Sequence, residues 1–166
     1  MLEIKNLSVT VDKKKIIKNL NLSISSGSKV AVMGPNGSGK STLSKIIAGK
    51  DGYKIEEGEI LFNNNNILEL EPEERAASGI YLAFQYPVEI PGIANLSFLR
   101  TAINSVRKQN GEKELDTREF LNECQNIREK LKLDKSFLSR DLNVGFSGGE
   151  KKKNEIFHML MRKPKL

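Results

Sequence analysis

The sequence has almost no cysteine. Its 166 residues contain one, Cys124, which lies in the polar stretch 122–126. A single thiol can form neither a disulfide framework nor a CxxC metal or redox site within the chain. We therefore expect Cys124 to be an ordinary buried or half-buried helix residue in a protein of a reducing compartment.

Long apolar runs are also missing. No stretch approaches the roughly 18 apolar residues that a membrane-spanning helix needs, and residues 1–5 do not form a basic segment leading into an apolar one. The sequence shows no internal repeat, and its 38% hydrophobic content is enough to bury a core. We expect a soluble, cytoplasmic domain without direct membrane insertion.

Positive charge is in excess but is not concentrated. The chain has 27 Lys and Arg against 21 Asp and Glu, a formal net charge of +6. The basic runs Lys13–Lys15 and Lys151–Lys153 are short, and no basic patch is interleaved with aromatic residues that would stack on bases. Solvated lysines around a site for a polyanionic nucleotide explain the charge better than nucleic acid does. We expect no nucleic-acid partner; a nucleic-acid-linked ATPase would show salt-sensitive DNA binding.

Alternating apolar residues at the start of the chain predict antiparallel strands. They lie in Leu2–Val11 and Leu20–Ile24, with Asp12–Lys14 as the hairpin turn between them. Two later segments, Lys29–Met33 and Ile80–Phe84, are short and almost continuously apolar. That pattern is typical of strands buried on both faces of a mostly parallel sheet. The sequence therefore predicts an α/β fold with a mixed sheet that begins with antiparallel strands.

Helical patterns make up the rest. Leu43, Ile46 and Ile47 share one face of a short helix that Gly49 can end, and Pro72–Ser78 predicts another short helix before Gly79. Beyond Pro91 three longer helices are predicted, two of them from apolar stripes. The stripes are Phe98, Ala102, Ile103 and Val106, then Phe120, Cys124, Ile127 and Leu131. The last helix begins near Gly148 and carries Ile156, Phe157 and Leu160. The second half of the sequence thus predicts a helical subdomain.

A glycine-rich stretch lies between the predicted strand Lys29–Met33 and the first predicted helix. It fits the pattern G-x-x-x-x-G-K-S/T and consists of Gly34, Pro35, Asn36, Gly37, Ser38, Gly39, Lys40, Ser41 and Thr42. Glycines there let successive backbone N–H groups turn toward phosphate oxygens at the positive end of a helix. Lys40 adds a full charge and Ser41 a hydroxyl that suits Mg²⁺. The stretch predicts a site for the phosphates of a nucleotide.

A second pair of glycines opens the last predicted helix. In Phe146-Ser147-Gly148-Gly149-Glu150 the serine hydroxyl and the glycine N–H groups can face another phosphate, although an ordinary N-cap serine explains this turn equally well. Together with the first loop and with Gln85, it resembles the signature motif, Walker A loop and Q-loop glutamine of the ATP-binding-cassette family. Phe146 stands where that family usually has leucine, and Glu150 where it usually has glutamine.

The surroundings of the three motifs narrow the resemblance. The segments 33–44, 83–92 and 143–154 look closely similar to the SufC-type cassette ATPases of the Suf iron–sulfur cluster assembly system, and the resemblance covers essentially the whole chain. It implies ATP and Mg²⁺ as cofactors, the SufB and SufD scaffold proteins as partners, and an ATP-dependent homodimer. The implied Mg²⁺ ligands are Ser41 and Gln85, and Gln85 also positions the attacking water. The residues implied to act across the dimer are Ser147, Gly148, Gly149 and Glu150.

The same resemblance implies how the chain is divided into parts, and it shows one difference between this sequence and the family. It implies a partial cassette domain over 1–166, with a nucleotide-binding core at about 1–85, a helical subdomain at about 86–150 and the signature helix at 151–166. The family's Walker B strand, with its Mg²⁺-positioning aspartate and catalytic glutamate, has no counterpart here, and the fold is incomplete at the C-terminus. His158 lies in the signature helix and is expected to be structural. We expect ATP binding with negligible turnover by these residues alone.

Two alternative functions stay open on sequence grounds. The motifs also occur in nucleotide-binding subunits of ABC membrane transporters, although Tyr86–Pro91 favours the Suf type. The missing Walker B supports a nucleotide-binding remnant that does not hydrolyse ATP. The stretch Val9–Asp12, where many cassette ATPases carry an aromatic residue that stacks on adenine, has none. Cluster chemistry is not expected in this chain, because an iron–sulfur cluster takes about four thiolates and Cys124 is alone.

Overall fold

The computed structural model describes all residues, Met1–Leu166. They form two compact units, Met1–Ala76 and Ala77–Leu166. The elements in chain order are β1 Leu2–Val11, β2 Lys14–Ile24, α1 Lys40–Ile47, β3 Lys54–Phe62, β4 Asn65–Asn66, α2 Pro72–Ser78, β5 Ile90–Ala94, α3 Asn95–Gln109, α4 Thr117–Lys130, β6 Asp141–Leu142 and α5 Gly148–Arg162. None of the helices combines the length and the apolar character that crossing a bilayer would take.

The first unit is built on the hairpin of β1 and β2. Its turn residues Asp12 and Lys13 have φ values of 47° and 66°, the left-handed conformation that matches the twist of two antiparallel strands. β3 pairs with the other edge of β1, so the sheet order is β2-β1-β3-β4 with every pairing antiparallel. The prediction of antiparallel N-terminal strands is confirmed, and β2 begins at Lys14, six residues earlier than expected.

One face of this sheet forms the core of the first unit. The buried apolar side chains on it are Leu2, Ile4, Leu7, Val9, Ile17, Ile60 and Phe62. Gly58 allows β1 and β3 to approach: its φ is +96°, and a Cβ there would lie 2.5 Å from the carbonyl oxygen of Lys5. The register between the two strands shifts at this point, between Lys5 and Ser8. The irregularity therefore depends on a residue without a side chain.

The two predicted buried strands do not form. Lys29–Met33 is not assigned to a strand, and the exposed fractions of Val30, Val32 and Met33 are 49%, 51% and 88%. In Ile80–Phe84 only Ile80 is buried, and the backbone N–H of Tyr81 donates to the carbonyl of Leu166 at 2.8 Å. A parallel strand is stabilised by neighbours on both edges and cover on both faces, and no strand pairs with either segment. Both strand predictions are wrong for this structure.

The predicted short helices are confirmed. α1 buries Leu43 and Ile46, and Gly49 follows it with a φ of +82°. α2 spans Pro72–Ser78 as predicted, and Gly79 follows with a φ of +106°. Proline suits a first helical turn because it lacks an N–H, and glycine adopts positive φ at little cost.

The second unit is mainly helical, as predicted. Its core consists of Leu99, Ile103, Phe120, Cys124, Ile127, Leu133, Phe137, Phe146, Phe157 and Met161. The predicted α4 stripe is confirmed, since Phe120, Cys124 and Ile127 are buried and face this core. On α3 the buried face runs through Asn95, Leu99 and Ile103, so of the predicted stripe only Ile103 lies fully inside.

The last predicted helix is confirmed as α5, Gly148–Arg162, and the three apolar residues predicted on it differ in burial. Phe157 is fully buried, but the exposed fractions of Ile156 and Leu160 are 42% and 38%. The buried face is completed by Asn154, His158 and Met161, so two of its four residues are polar. Polar side chains can occupy a core when they are hydrogen-bonded.

Candidate nucleotide site

The glycine-rich loop leads directly into α1. Gly37 and Gly39 have φ values of +81° and +92°, and Gly39 is the N-cap of the helix, which begins at Lys40. The first N–H groups of any helix lack intrahelical acceptors. Here no side chain caps them, and the first turn contains no acidic residue. The positive end of α1 is therefore open to an anion from outside the chain.

The side chain of Lys40 extends back across the loop to the first two residues of the loop. Its Nζ atom donates to the carbonyl oxygens of Gly34 at 2.7 Å and Pro35 at 2.8 Å. Both acceptors are neutral, so the ammonium charge is not neutralised by a carboxylate. A lysine held on neutral oxygens beside open helix N–H groups can move to a phosphate without breaking an ion pair.

Close packing explains the loop's other glycines. A Cβ on Gly34 would lie 2.8 Å from Ser38 Oγ, and one on Gly39 would lie 3.4 Å from side-chain carbons of Ile16 and Ile17. The loop is therefore compact, and its backbone comes close to β2. These features fit nucleotide phosphates: backbone N–H groups and Lys40 would hold the phosphate oxygens, and the exposed Ser41 hydroxyl would supply an oxygen ligand to Mg²⁺.

Arg75 supports the far end of the same helix, and the sequence analysis did not single it out. It is buried, and its guanidinium donates to the carbonyl oxygens of Ile46 at 2.7 Å and Leu70 at 2.8 Å. Burial lowers the pKa of this arginine from its ordinary value. The terminal carbonyls of α1 thus find a donor from α2, since a helix end leaves such groups without partners. An arginine in the last turn of the short helix α2 was the only available signal.

Beside the β1–β2 turn, the first unit also has an open pocket of about 670 Å³. Its lining includes Thr10, Asp12 and the half-buried aromatic residue Tyr53. Tyr53 lies far from Val9–Asp12 along the sequence, just before β3, and only the fold brings it beside this turn.

Gln85 belongs to the second unit, in an exposed segment held by α5. The N–H of Phe84 donates to Glu155 Oε2 at 3.1 Å, and Lys152 Nζ donates to the carbonyl oxygen of Gln85 at 3.2 Å. A pocket of about 390 Å³ lies here, lined by Ala83, Phe84, Gln85, Lys152, Glu155, Ile156 and Met159. Burial raises the pKa of Glu155. Two side chains of α5 therefore hold the backbone of Phe84 and Gln85 by hydrogen bonds.

The turn at Ser147 begins α5 with a capping box. The Ser147 hydroxyl accepts from the N–H of Glu150 at 3.2 Å, and the Ser147 N–H donates to Glu150 Oε2 at 2.7 Å. Arg140 forms an ion pair with Glu150 at 2.9 Å. The hydrogen bonds from Ser147, followed by Arg140, lower the pKa of Glu150. Glutamate in place of the usual glutamine therefore has a structural use here, as the second half of the box.

Space is left open at the two glycines of this turn. A Cβ on Gly148 or Gly149 would meet no atom within 4 Å. The helix N-terminus at Ser147 therefore faces solvent, as the terminus of α1 does. The structure places the phosphate loop in the first unit, and Gln85 and the Ser147 turn together in the second.

Two residues that the sequence assigned to structural roles are confirmed as such. Cys124 is fully buried, and burial raises the pKa of its thiol to about 12. His158 is also buried, and its Nε2 atom lies 2.7 Å from Asn95 Oδ1. Neither has the exposure of a catalytic group. The sequence missed the three buried asparagines near His158, Asn95, Asn143 and Asn154, because asparagine is usually an exposed residue.

Comparison with known proteins agrees with this class of site. The model of the ABC transporter family matches residues 17–166. The chain is 54% identical over 166 residues to the "Probable ATP-dependent transporter ycf16" of Cyanophora paradoxa, covering all of this chain and 64% of that protein. It is 48% identical to the "Probable ATP-dependent transporter SufC" of Escherichia coli, covering all of this chain and 67% of that protein.

Solved structures show the same fold. The dimeric structure of a bacterial ABC transporter cassette aligns with a TM-score of 0.79 at 26% identity, covering 99% of this chain and 71% of that one. The ADP conformation of another cassette aligns with a TM-score of 0.73 at 30% identity, covering 99% of this chain and 65% of that one.

The fold and the phosphate loop define a P-loop nucleotide-binding protein of the α/β class, as predicted. The chain belongs to the ABC transporter family. Its full-length relatives include proteins named SufC, as the motif surroundings predicted. The chain spans about two-thirds of the length of these relatives, 64% for that of Cyanophora paradoxa and 66% for that of Antithamnion.

Proposed function

We propose that the chain is the ATP-binding part of a Suf-type iron–sulfur cluster assembly ATPase, which couples ATP binding and hydrolysis to remodelling of a SufB and SufD scaffold. The observation that carries the nucleotide part is the open N-terminus of α1 with Lys40 held across it. The similarity to proteins named SufC supports the Suf assignment. ATP and Mg²⁺ are the cofactors, with Ser41 and Gln85 as Mg²⁺ ligands.

The proposed complex is a dimer that forms around the nucleotide. In it, ATP held by Gly34–Thr42 of one subunit is covered by the Ser147–Glu150 turn of the other. The open surface at Gly148 and Gly149 and the dimeric state of a solved cassette relative support this arrangement. Two helix N-termini on one polyanion stabilise it more than one does.

The bound Mg²⁺ would neutralise charge on the terminal phosphates. The chain's own residues bind and orient: Lys40 and the loop N–H groups hold phosphate oxygens, and Gln85 places a water. The 166 residues contain no Asp-Glu pair at the end of a buried strand. We therefore propose that, as an isolated polypeptide, they bind ATP with negligible turnover.

A membrane-transporter subunit is the second candidate. The observation in its favour is that the relatives are named as probable ATP-dependent transporters. Co-purification separates the two: a SufB-like scaffold protein should accompany the chain if the first proposal is right, and an integral membrane protein if the second is.

The nucleotide proposal is tested by calorimetry with MgATP on the wild type and on Lys40→Ala. The variant should bind at least about tenfold more weakly, because the only full charge at the loop is removed. Lys50→Ala is the matched control, since Lys50 is exposed and lies just beyond the helix. Equal affinity of Lys40→Ala and the wild type would contradict the proposed site.

A further inference from the structure

Four buried polar side chains of the second unit form one continuous chain of hydrogen bonds, which we call the amide chain. It runs from His158 Nε2 to Asn95 Oδ1 at 2.7 Å and from Asn95 Nδ2 to Asn154 Oδ1 at 2.8 Å. The next bond joins Asn154 Nδ2 to Asn143 Oδ1 at 2.9 Å. The last bond joins Asn143 Nδ2 to the carbonyl oxygen of Val88 at 2.8 Å.

The backbone carbonyl at its end sets the direction of every bond. The Val88 oxygen can only accept, so the Asn143 amide must donate to it and must accept from Asn154 with its own oxygen. The same reasoning makes Asn154 accept from Asn95, and Asn95 accept from His158. His158 must therefore carry a proton on Nε2. Each member has one arrangement that satisfies its neighbours, which makes the amide chain rigid.

The amide chain lies in the interior. The exposed fractions of its side chains are 0% for Asn95, 1% for Asn154, 3% for Asn143 and 7% for His158. No buried side-chain nitrogen or oxygen in the structure lacks a partner. A break in the chain would leave a buried amide unsatisfied, so its geometry is held much more strongly than that of an exposed contact.

The last bond of the amide chain, from Asn143 to Val88, joins two stretches that lie next to the two proposed functional segments of this unit. Val88 follows Gln85 by three residues, and Asn143 precedes Ser147 by four. The same stretches are also paired at Ile90 and Leu142, and the N–H of Gly92 donates to Asp141 Oδ2 at 2.7 Å. Lys151 adds an exposed ion pair with Glu89 at 2.6 Å. The segment after Gln85 therefore cannot shift without disturbing the residues that lead into the Ser147 turn.

We propose that the amide chain is a positioning network: it holds the segment after Gln85 in register with the Ser147 turn, through the Val88 carbonyl. The residues act through others and touch no nucleotide, so they are positioning residues. The inference rests on the proposed function in one respect: the proposed function makes Gln85 and the Ser147 turn the nucleotide-facing parts of this unit.

Asn143→Asp tests the network in the full chain without nucleotide. Aspartate keeps an oxygen for Asn154 but loses the donor to Val88, and it tolerates the φ of 60° found at this position. We expect amide hydrogen exchange over residues 86–92 to accelerate about tenfold or more, with exchange in α4 unchanged. Lys151→Ala is the control: it removes the exposed tie to Glu89 and should change the same amides by less than about twofold.

A second readout uses MgATP. In the wild type we expect nucleotide to slow exchange at Ser147–Glu150, and in Asn143→Asp we expect this response to be lost while the Kd for MgATP stays within about twofold. If Asn143 only stabilised the fold, its replacement would not abolish the exchange response at Ser147–Glu150 while leaving the Kd for MgATP unchanged. If Asn143→Asp does not fold, Asn143→Gly removes the same donor and suits the same backbone.

Wild-type exchange over 86–92 in the folded variant, or an unchanged response at the Ser147 turn, would overturn the proposal. If the wild type itself binds no MgATP, the proposed function fails, and the exchange of the nucleotide-free variants still decides whether the network positions the segment.

Discussion

Lys40 and Arg75 show how single residues with the same charge serve different purposes at the two ends of α1. Each donates to two backbone carbonyls at distances below 3 Å. Lys40 is only half-buried and lies at an open helix terminus, so a phosphate can compete for it. Arg75 is buried and donates to the carbonyl oxygen of Ile46 at the end of the helix. Exposure therefore distinguishes a binding residue from a structural one.

His158 gives a prediction at this scale. Burial, followed by the charge of Arg162, lowers its pKa from 6.5 to about 4. Because the folded-state pKa is the lower one, the unfolded chain binds more protons between these values. The stabilisation is therefore complete above about pH 6.5 and is lost as the pH falls toward about 4, by roughly 3 kcal/mol in all.

Urea unfolding of the wild type and of His158→Gln at about pH 7 and about pH 5 measures this effect. His158 is the only histidine, so the difference in unfolding free energy between the two proteins isolates it. The wild type should lose more stability than the variant on acidification. Parallel losses would show that the imidazole does not carry the effect.

At the scale of elements, α1 and α5 begin in different ways. The N-terminus of α1 has no side-chain cap, whereas Ser147 and Glu150 cap α5 reciprocally. The C-terminus of α1 depends on Arg75 from α2. The helix next to the phosphate loop is therefore held at its far end and left free at the end that meets phosphate.

Arg75→Met should lower the free energy of unfolding by about 2 to 4 kcal/mol, because buried carbonyls of Ile46 and Leu70 lose a charged donor. Methionine keeps much of the apolar stem, so the loss reports on the guanidinium. Denaturant unfolding measures it. Arg118→Met, at an exposed position on α4, is the matched control and should change stability by less than about 0.5 kcal/mol.

At the scale of the whole molecule, the functional residues are divided between the two units. The phosphate loop lies in Met1–Ala76, and Gln85 and the Ser147 turn lie in Ala77–Leu166. Each unit has its own buried core. The N-terminus of α1 has no acidic residue in its first turn, and the glycines of the capped Ser147 turn are open to solvent, so the proposed phosphate-facing groups are divided between the units.

ATP should therefore drive self-association. Light scattering with ATP and no Mg²⁺, so that hydrolysis is prevented, should show a shift from monomer to dimer. Gly148→Arg should reduce the shift by filling the open space at the turn. An unchanged monomer mass in saturating ATP would contradict the proposed dimer, and association of Gly148→Arg equal to that of the wild type would exclude the turn from the interface.

Local patterns predicted much of this molecule. The hairpin, the ends of α1 and α2 at glycine, and the buried face of α4 follow from alternation, from proline and glycine preferences and from helical periodicity. The fold class and the family were predicted from the motifs and are confirmed by the comparisons. The roles of Gln85 and of Ser147–Glu150 toward nucleotide stay predictions.

The failures share a different cause. Lys29–Met33 and Ile80–Phe84 have the composition of buried strands, but a strand exists only when another segment pairs with it. Arg75, Asn154 and His158 are buried beside partners that nothing local in the sequence shows. Their burial depends on residues 29 to 63 positions away.

By itself, the sequence determined which segments bend and cap and which one is proposed to bind phosphate, because those properties depend on neighbouring residues and on the chemistry of glycine, lysine and serine. Only the tertiary structure decided which segments pair and which polar side chains are buried. Those outcomes depend on hydrogen-bond partners that are distant along the chain, such as Val88 for Asn143 and Ile46 for Arg75. A buried polar group is stable only when such a partner is present.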